Sequence, residues 1–179
     1  MLQITIPAVD LWDEEKQEFV IRKEQTLQLE HSLVSLSKWE AKWCKPFLGK
    51  GEKSDEETND YIRCMTITQN VDPETYNYLT KENYDQISEY INAPMTATTF
   101  PKDNSKGRNQ IITAEVVYAW MFALQIPIDC QKWHLNKLLT QIRACSALSQ
   151  SPKKMSRSEI AKQNAALNAA RRKQLNSKG

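Results

Sequence analysis

The sequence predicts an α+β fold, in which a short N-terminal antiparallel β meander packs on a mainly helical body and a basic helical arm follows. Three observations predict it. Apolar residues alternate with polar ones along residues 2–29, the period of a half-buried strand. From Ser32 the apolar spacing changes to three and four, and helix start signals recur along the rest of the chain. The C-terminal stretch then reverses the charge of everything before it. Residues 151–179 hold eight cations and one anion, whereas residues 1–150 hold 16 cations and 21 anions. The net charge of +2 is therefore an acidic body of −5 joined to an arm of +7. The chain divides accordingly into a globular body, 1–150, and an arm, 151–179.

Each element has a local reason. Leu2, Ile4 and Ile6 set the first strand, Asp13-Glu-Glu-Lys16 a polar turn, and Phe19, Ile21, Leu27 and Leu29 resume the period of two. Leu33, Leu36, Trp39 or Glu40, and Trp43 then mark a helix that Pro46 ends. Ser54-Asp-Glu-Glu57 is a capping box opening a helix with Tyr61, Ile62, Met65 and Ile67. Asp72-Pro73 is a further start signal, with proline at a position that needs no N–H. Thr80 caps a short helix bearing Tyr84, Ile87, Tyr90 and Ile91. Met95–Phe100, rich in threonine, suits an edge strand, and the polar stretch 101–110 a surface loop. Thr113 caps the most apolar helix, 115–125, whose apolar residues run nearly all round, as expected of a central core helix ended by Pro127. Asp129 starts a long helix that turns Trp133, Leu135, Leu138, Leu139 and Ile142 inward. In the arm, Ser156-Arg-Ser-Glu159 is a second capping box, followed by alanines, cations and a thin stripe of Ile160, Leu167 and Leu175.

Composition excludes several classes of function. No apolar run approaches the ~18 residues that cross a membrane. Residues 1–7 lack the basic and apolar regions of a secretory signal, so the expectation is synthesis and action in the cytoplasm. Cys44, Cys64, Cys130 and Cys145 form no CxxC pair and are expected to be reduced and structural. With four glycines and no phosphate-cradling motif, nucleotide chemistry is disfavoured. The two histidines, His31 and His134, are expected at the surface or core edge rather than as general bases, and Cys130 with His134 falls short of a metal site. The acidic runs at Asp13 and Asp55 read as solvated or as favoured by a helix dipole. Tryptophans on apolar helix faces read as core rather than as base-stacking platforms. The expectation is a protein that is not an enzyme and needs no cofactor or metal.

The arm is the functional candidate, through Lys153, Lys154, Arg157, Arg171, Arg172 and Lys173. Three readings stand: a solvated tail, a helix that orders on a protein partner, and a salt-sensitive nucleic-acid contact. Its caps and alanines favour the helix. Self-association is also open, because the acidic body could accept the arm of a neighbouring copy.

Three segments carry a resemblance: Ser35-Leu-Ser-Lys-Trp-Glu-Ala-Lys-Trp-Cys-Lys-Pro-Phe-Leu48; residues 111–139, with Ala119-Trp120 and Lys132-Trp133-His134-Leu135-Asn136; and residues 154–172, closing on Asn-Ala-Ala-Leu-Asn-Ala-Ala-Arg-Arg. Together they resemble the tail assembly chaperones of tailed bacteriophages. The resemblance implies a non-enzymatic morphogenesis protein of the host cytoplasm that coats the tape measure protein and recruits the tail tube protein through a C-terminal extension. Such chaperones also occur in frameshift-extended forms, and Pro152-Lys153-Lys154 is compatible with a slippery CCC AAA AAA codon run. The alternatives are a virion structural or connector protein and a nucleic-acid-binding phage protein acting through the arm.

Overall fold

The computed structural model describes residues 1–13, 17–49, 51–100, 111–149 and 157–175. The chain forms two compact units, Met1–Cys145 and Ser146–Gly179. The first is α+β, as the sequence predicts. Its strands β1 (Leu2–Ile6), β2 (Val9–Asp13), β3 (Glu18–Arg22) and β4 (Gln25–Leu29) pair in a nested order, β1 with β4 and β2 with β3, both antiparallel. The meander is thus realised as two nested two-stranded ladders, separated by Pro7-Ala8 on one side and Lys23-Glu24 on the other, and Pro7 has no N–H to give to a ladder. The inner half follows the expected alternation: Ile4 and Ile6 face Leu27 and Leu29 in the core. The outer half does not. Phe19 and Ile21, expected to face inward, are exposed at 69% and 68%.

Helices α1 (Leu33–Trp43), α2 (Asp55–Met65) and α3 (Lys81–Asn92) begin where the sequence places them. Ser32, Ser54 and Thr80 each accept from the amide three residues on, and each bond is returned, by Ser35, Glu57 and Asn83. Cys44, in the left-handed conformation at φ 52°, ends α1 just before Pro46. Asp72 caps a single 3-10 segment, Pro73–Tyr78. Arg22 bridges the ribbon to that segment through Asp72 and Glu74, at 3.1 and 2.7 Å, with its guanidinium over the Tyr78 ring.

Two apolar clusters share α1. Trp39 packs with β1, β4, α2, Tyr76 and α3, while Leu33 and Leu36 pack with α4 (Ala114–Ala123), Ile126, Cys130 and α5 (Leu135–Ser149). The central helix is therefore α1, and the expectation for the apolar α4 is corrected. It buries Ala114, Val117 and Met121, whereas Phe122 is 67% exposed. Thr113 makes no side-chain cap bond; the amide of Ala114 donates instead to Glu40 of α1 at 2.7 Å. A Schellman motif ends α4. Ile126 N donates to Met121 O at 2.9 Å, Gln125 N to Phe122 O at 3.2 Å, and Gln125 sits at φ 55°.

Two further expectations change. Met95–Phe100 forms no strand. No helix starts at Asp129: it lies inside a 3-10 turn, Ile128–Lys132, that follows Pro127, and α5 begins at Leu135, so Trp133 lies at a helix junction, 38% exposed, with Lys137 over its ring at 4.5 Å. The expected loop at 101–110 and the Ser156 cap lie outside the described residues. The second unit contains α6 (Arg157–Leu175).

Candidate functional site

Of the arm residues singled out by charge, Arg157, Arg171, Arg172 and Lys173 lie on α6, and Lys153 and Lys154 fall outside the described residues. Every side chain of α6 whose burial is described is exposed, including Ile160, Leu167 and Leu175. With about 3.6 residues per turn, Arg157, Ile160, Asn164, Leu167 and Arg171 fall in one stripe, an apolar pair with a guanidinium beyond each end. Chemically, the helix offers a narrow apolar ridge and hydrogen-bond donors to anionic surface.

The body presents apolar surface of its own. Phe122 on α4, Ile128 and Trp133 on the connection to α5, and Ile111 just ahead of α4 are exposed. An open depression of about 500 Å³ is bordered by Trp39, Pro46, Leu48, Ile111 and Ile112. A second, of about 340 Å³, lies between α2 and α3, with Phe47, Ile62, Tyr84 and Ile87 in its lining.

The buried polar groups form networks rather than an open reactive centre. Both histidines are buried, at 2% and 6% exposure, which corrects the expectation of a surface or core-edge position. Backbone pairing joins Ser32 to His134, and Leu135 N donates to His31 O at 2.7 Å, so the two rings meet edge to face with centroids 5.1 Å apart. His134 Nδ1 lies 3.3 Å from the Asn136 amide, which can only donate, and Nε2 lies 3.0 Å from the Tyr90 carbonyl, which can only accept. The neutral tautomer with its hydrogen on Nε2 satisfies both. His31 Nδ1 lies 2.6 Å from the Tyr61 hydroxyl, and the Tyr90 hydroxyl donates to Glu30, which also meets the Met1 amino group at 3.0 Å. Burial, helped by His134, pushes the His31 pKa down to about 4, and burial lowers that of His134 as well. The sequence gives no sign of this pairing, since the two histidines lie on elements that meet only through the tertiary fold.

A second network ties α1 to α2. Trp39 Nε1 donates to Glu57 O at 2.8 Å, and Trp43 Nε1 to Asp60 at 2.9 Å. Glu57 is 5% exposed and, as the sequence predicts, returns the capping bond to the Ser54 amide in the first turn of α2. The Lys45 ammonium and then the Ser54 amide hold its carboxyl below the usual carboxylate range. Among the described residues no three His, Cys, Asp or Glu side chains gather as a metal site, and no helix is long and apolar enough to cross a membrane. All four cysteines are free thiols, Cys130 buried and Cys44 exposed. No protein family, curated protein or solved structure matches the chain.

Proposed function

We propose that this chain is a non-enzymatic morphogenesis protein of a tailed bacteriophage, a tail assembly chaperone that holds the tape measure protein and engages the tail tube protein through its basic arm. The observation that carries the reading is the uncovered apolar surface of the body. α4 is apolar on nearly every side yet fully buries only Ala114, Val117 and Met121, and Phe122, Ile128 and Trp133 are all exposed. Exposed aromatic and aliphatic anchors of this kind suit the apolar stripe of a long helical client. The three segments that resemble the chaperones agree with it, since the second of them contains α4, Trp133 and His134. The acidic body and basic arm then separate two binding tasks in one chain.

The test is co-expression with the tape measure protein from the same genome. The chain keeps the tape measure protein soluble and co-purifies with it, and Phe122→Asp abolishes both effects while leaving the melting temperature of the chain unchanged. A tape measure protein that stays insoluble beside the wild-type chain would overturn the reading. So would abundant peptides of this chain in purified virions, which belong to a structural or connector protein.

A further inference from the structure

A pair of buried histidines stands where the two apolar clusters meet. His31 lies just past β4 and His134 just ahead of α5, and each reaches into both clusters. The carbonyl of His31 accepts from Leu135 N, in the second cluster, while its ring meets the Tyr61 hydroxyl of the first at 2.6 Å. The main chain of His134 pairs with Ser32, and its ring meets the carbonyl of Tyr90, also in the first cluster. α3 ends at the same place, with carbonyls that no further helical turn can satisfy. The start of α5 supplies their donors: His134 Nε2 to Tyr90 O, and Asn136 Nδ2 to Ile91 O and Ala93 O at 2.9 and 2.8 Å.

This arrangement suits neutral rings and no others. With its hydrogen on Nε2, His134 can take a second proton only on Nδ1, which lies 3.3 Å from the Asn136 N–H. Two N–H groups would then point at each other, and the first turn of α5 would have to move. A proton on His31 would place a cation at 2% exposure between the Tyr61 and His134 rings. The charged groups around the pair do not relieve this. Glu30, which also holds the Tyr90 hydroxyl of α3, draws a proton toward His134, and the Met1 amino group ahead of β1 repels it. On the α2 side stand Tyr61 and, beside it, Cys64 and Glu40. Burial is the largest influence on both rings and favours their neutral forms. We infer that the His31–His134 pair is an acid-operated latch: proton uptake by the rings releases the start of α5 from the end of α3 and opens the seam between the two apolar clusters before the chain as a whole unfolds. The inference does not depend on the chaperone reading: it concerns this chain alone, and its test uses no client.

The pH window follows from His31. In the closed form its ring stays neutral down to about 4, and once exposed it takes up a proton near 6.5. Opening is therefore insensitive to pH above 6.5 and becomes more favourable as the pH falls, by ~30-fold between pH 7.5 and 5. Hydrogen exchange of the full chain in low urea, corrected for the intrinsic rate at each pH, tests it. Protection of the Leu135 and Leu138 amides falls ~30-fold from pH 7.5 to 5, and at pH 5 it lies at least ~10-fold below that of amides in the middle of α2. Its urea dependence is also weaker, because a local opening exposes less surface than unfolding does. The pH effect disappears in the double variant His31→Gln, His134→Gln, whose side chains donate and accept without titrating. Junction amides that match α2 in rate and urea dependence at both pH values would overturn the inference, and so would a pH effect that persists undiminished in the double variant. If that variant does not fold, the nitrogen shifts of the wild-type rings decide. Protonation that coincides with loss of protection at Leu135 and Leu138 supports the latch, and rings that titrate while those amides stay protected overturn it.

Discussion

Glu40 shows how much of this fold rests on single buried carboxylates. It sits on α1 with 7% of its surface exposed, and its two oxygens accept from Phe47 N at 2.8 Å and Ala114 N at 2.7 Å. One side chain thus fixes the turn after α1 and caps α4, a role that local sequence assigns to Thr113. Glu40→Ala leaves two amides without their acceptor and is expected to cost about 3 kcal/mol in urea unfolding; Glu40→Gln, which keeps one acceptor oxygen, recovers part of it. His31 gives a pH dependence. Free imidazole titrates near 6.5, and in the folded chain burial lowers His31 to about 4. Between those values the unfolded chain binds a proton that the folded chain refuses. The stability contributed by neutral His31 is therefore complete above pH 6.5, decreases as the pH falls, and is lost near 4; it amounts to roughly 3 kcal/mol. His134 shifts the same way, and Tyr61, Tyr90, Glu30 and the Met1 amino group surround the pair. Urea midpoints measured from pH 7.5 to 4.5 should fall steeply for the wild type and less steeply for His31→Gln. Parallel slopes would show that other groups carry the acid sensitivity.

At the scale of elements, the clearest strain lies at the end of α4. Gln125 holds a left-handed conformation that costs an L-residue about 1 kcal/mol and glycine almost nothing, and the Schellman bonds of Gln125 and Ile126 keep it there. Gln125→Gly is expected to stabilise the chain by about 0.5–1 kcal/mol, read as a rise in melting temperature; a fall would mean that the Gln125 side chain contributes more than its backbone strain costs. Element starts are the most legible part of this sequence, because a cap is a local bargain between neighbours. Ser54 with Glu57, Thr80 with Asn83, and Asp72 ahead of Pro73 all form where the residues indicate. Burial is less legible. The period of two continues from β1 into β3, but Ile4, Ile6, Leu27 and Leu29 of β1 and β4 join the core cluster, whereas Phe19 and Ile21 are exposed. The apolar sides of α4 suggest a centre, yet the position between the two clusters belongs to α1, with fewer apolar residues but Leu33, Leu36 and Trp39 on different faces. Asp129 has the chemistry of a helix start, yet it falls inside a short turn, Ile128–Lys132, and α5 begins only after the backbone bridge from His134 to Ser32.

At the scale of the molecule, the chain divides by charge and by what each part buries. Both apolar clusters lie between Ile4 and Ile142, and no residue of α6 belongs to either. α6 is a helix of 19 residues with Ile160, Leu167 and Leu175 all exposed. Nucleation is costly, so such a helix is marginal in water even with several alanines. Its backbone amides should therefore exchange with solvent far faster than those of α1, α2 or α5, whose opening requires the loss of a cluster. The candidate arm was legible as a charge reversal in the sequence. The apolar depression between α2 and α3 was not, because Phe47, Tyr61, Tyr84 and Ile87 are brought together only by the tertiary placement of their elements. Exchange over residues 157–175 near the unprotected rate, against slow exchange in α1, α2 and α5, is the expected outcome; protection of α6 equal to theirs would show that more than its own propensity holds it.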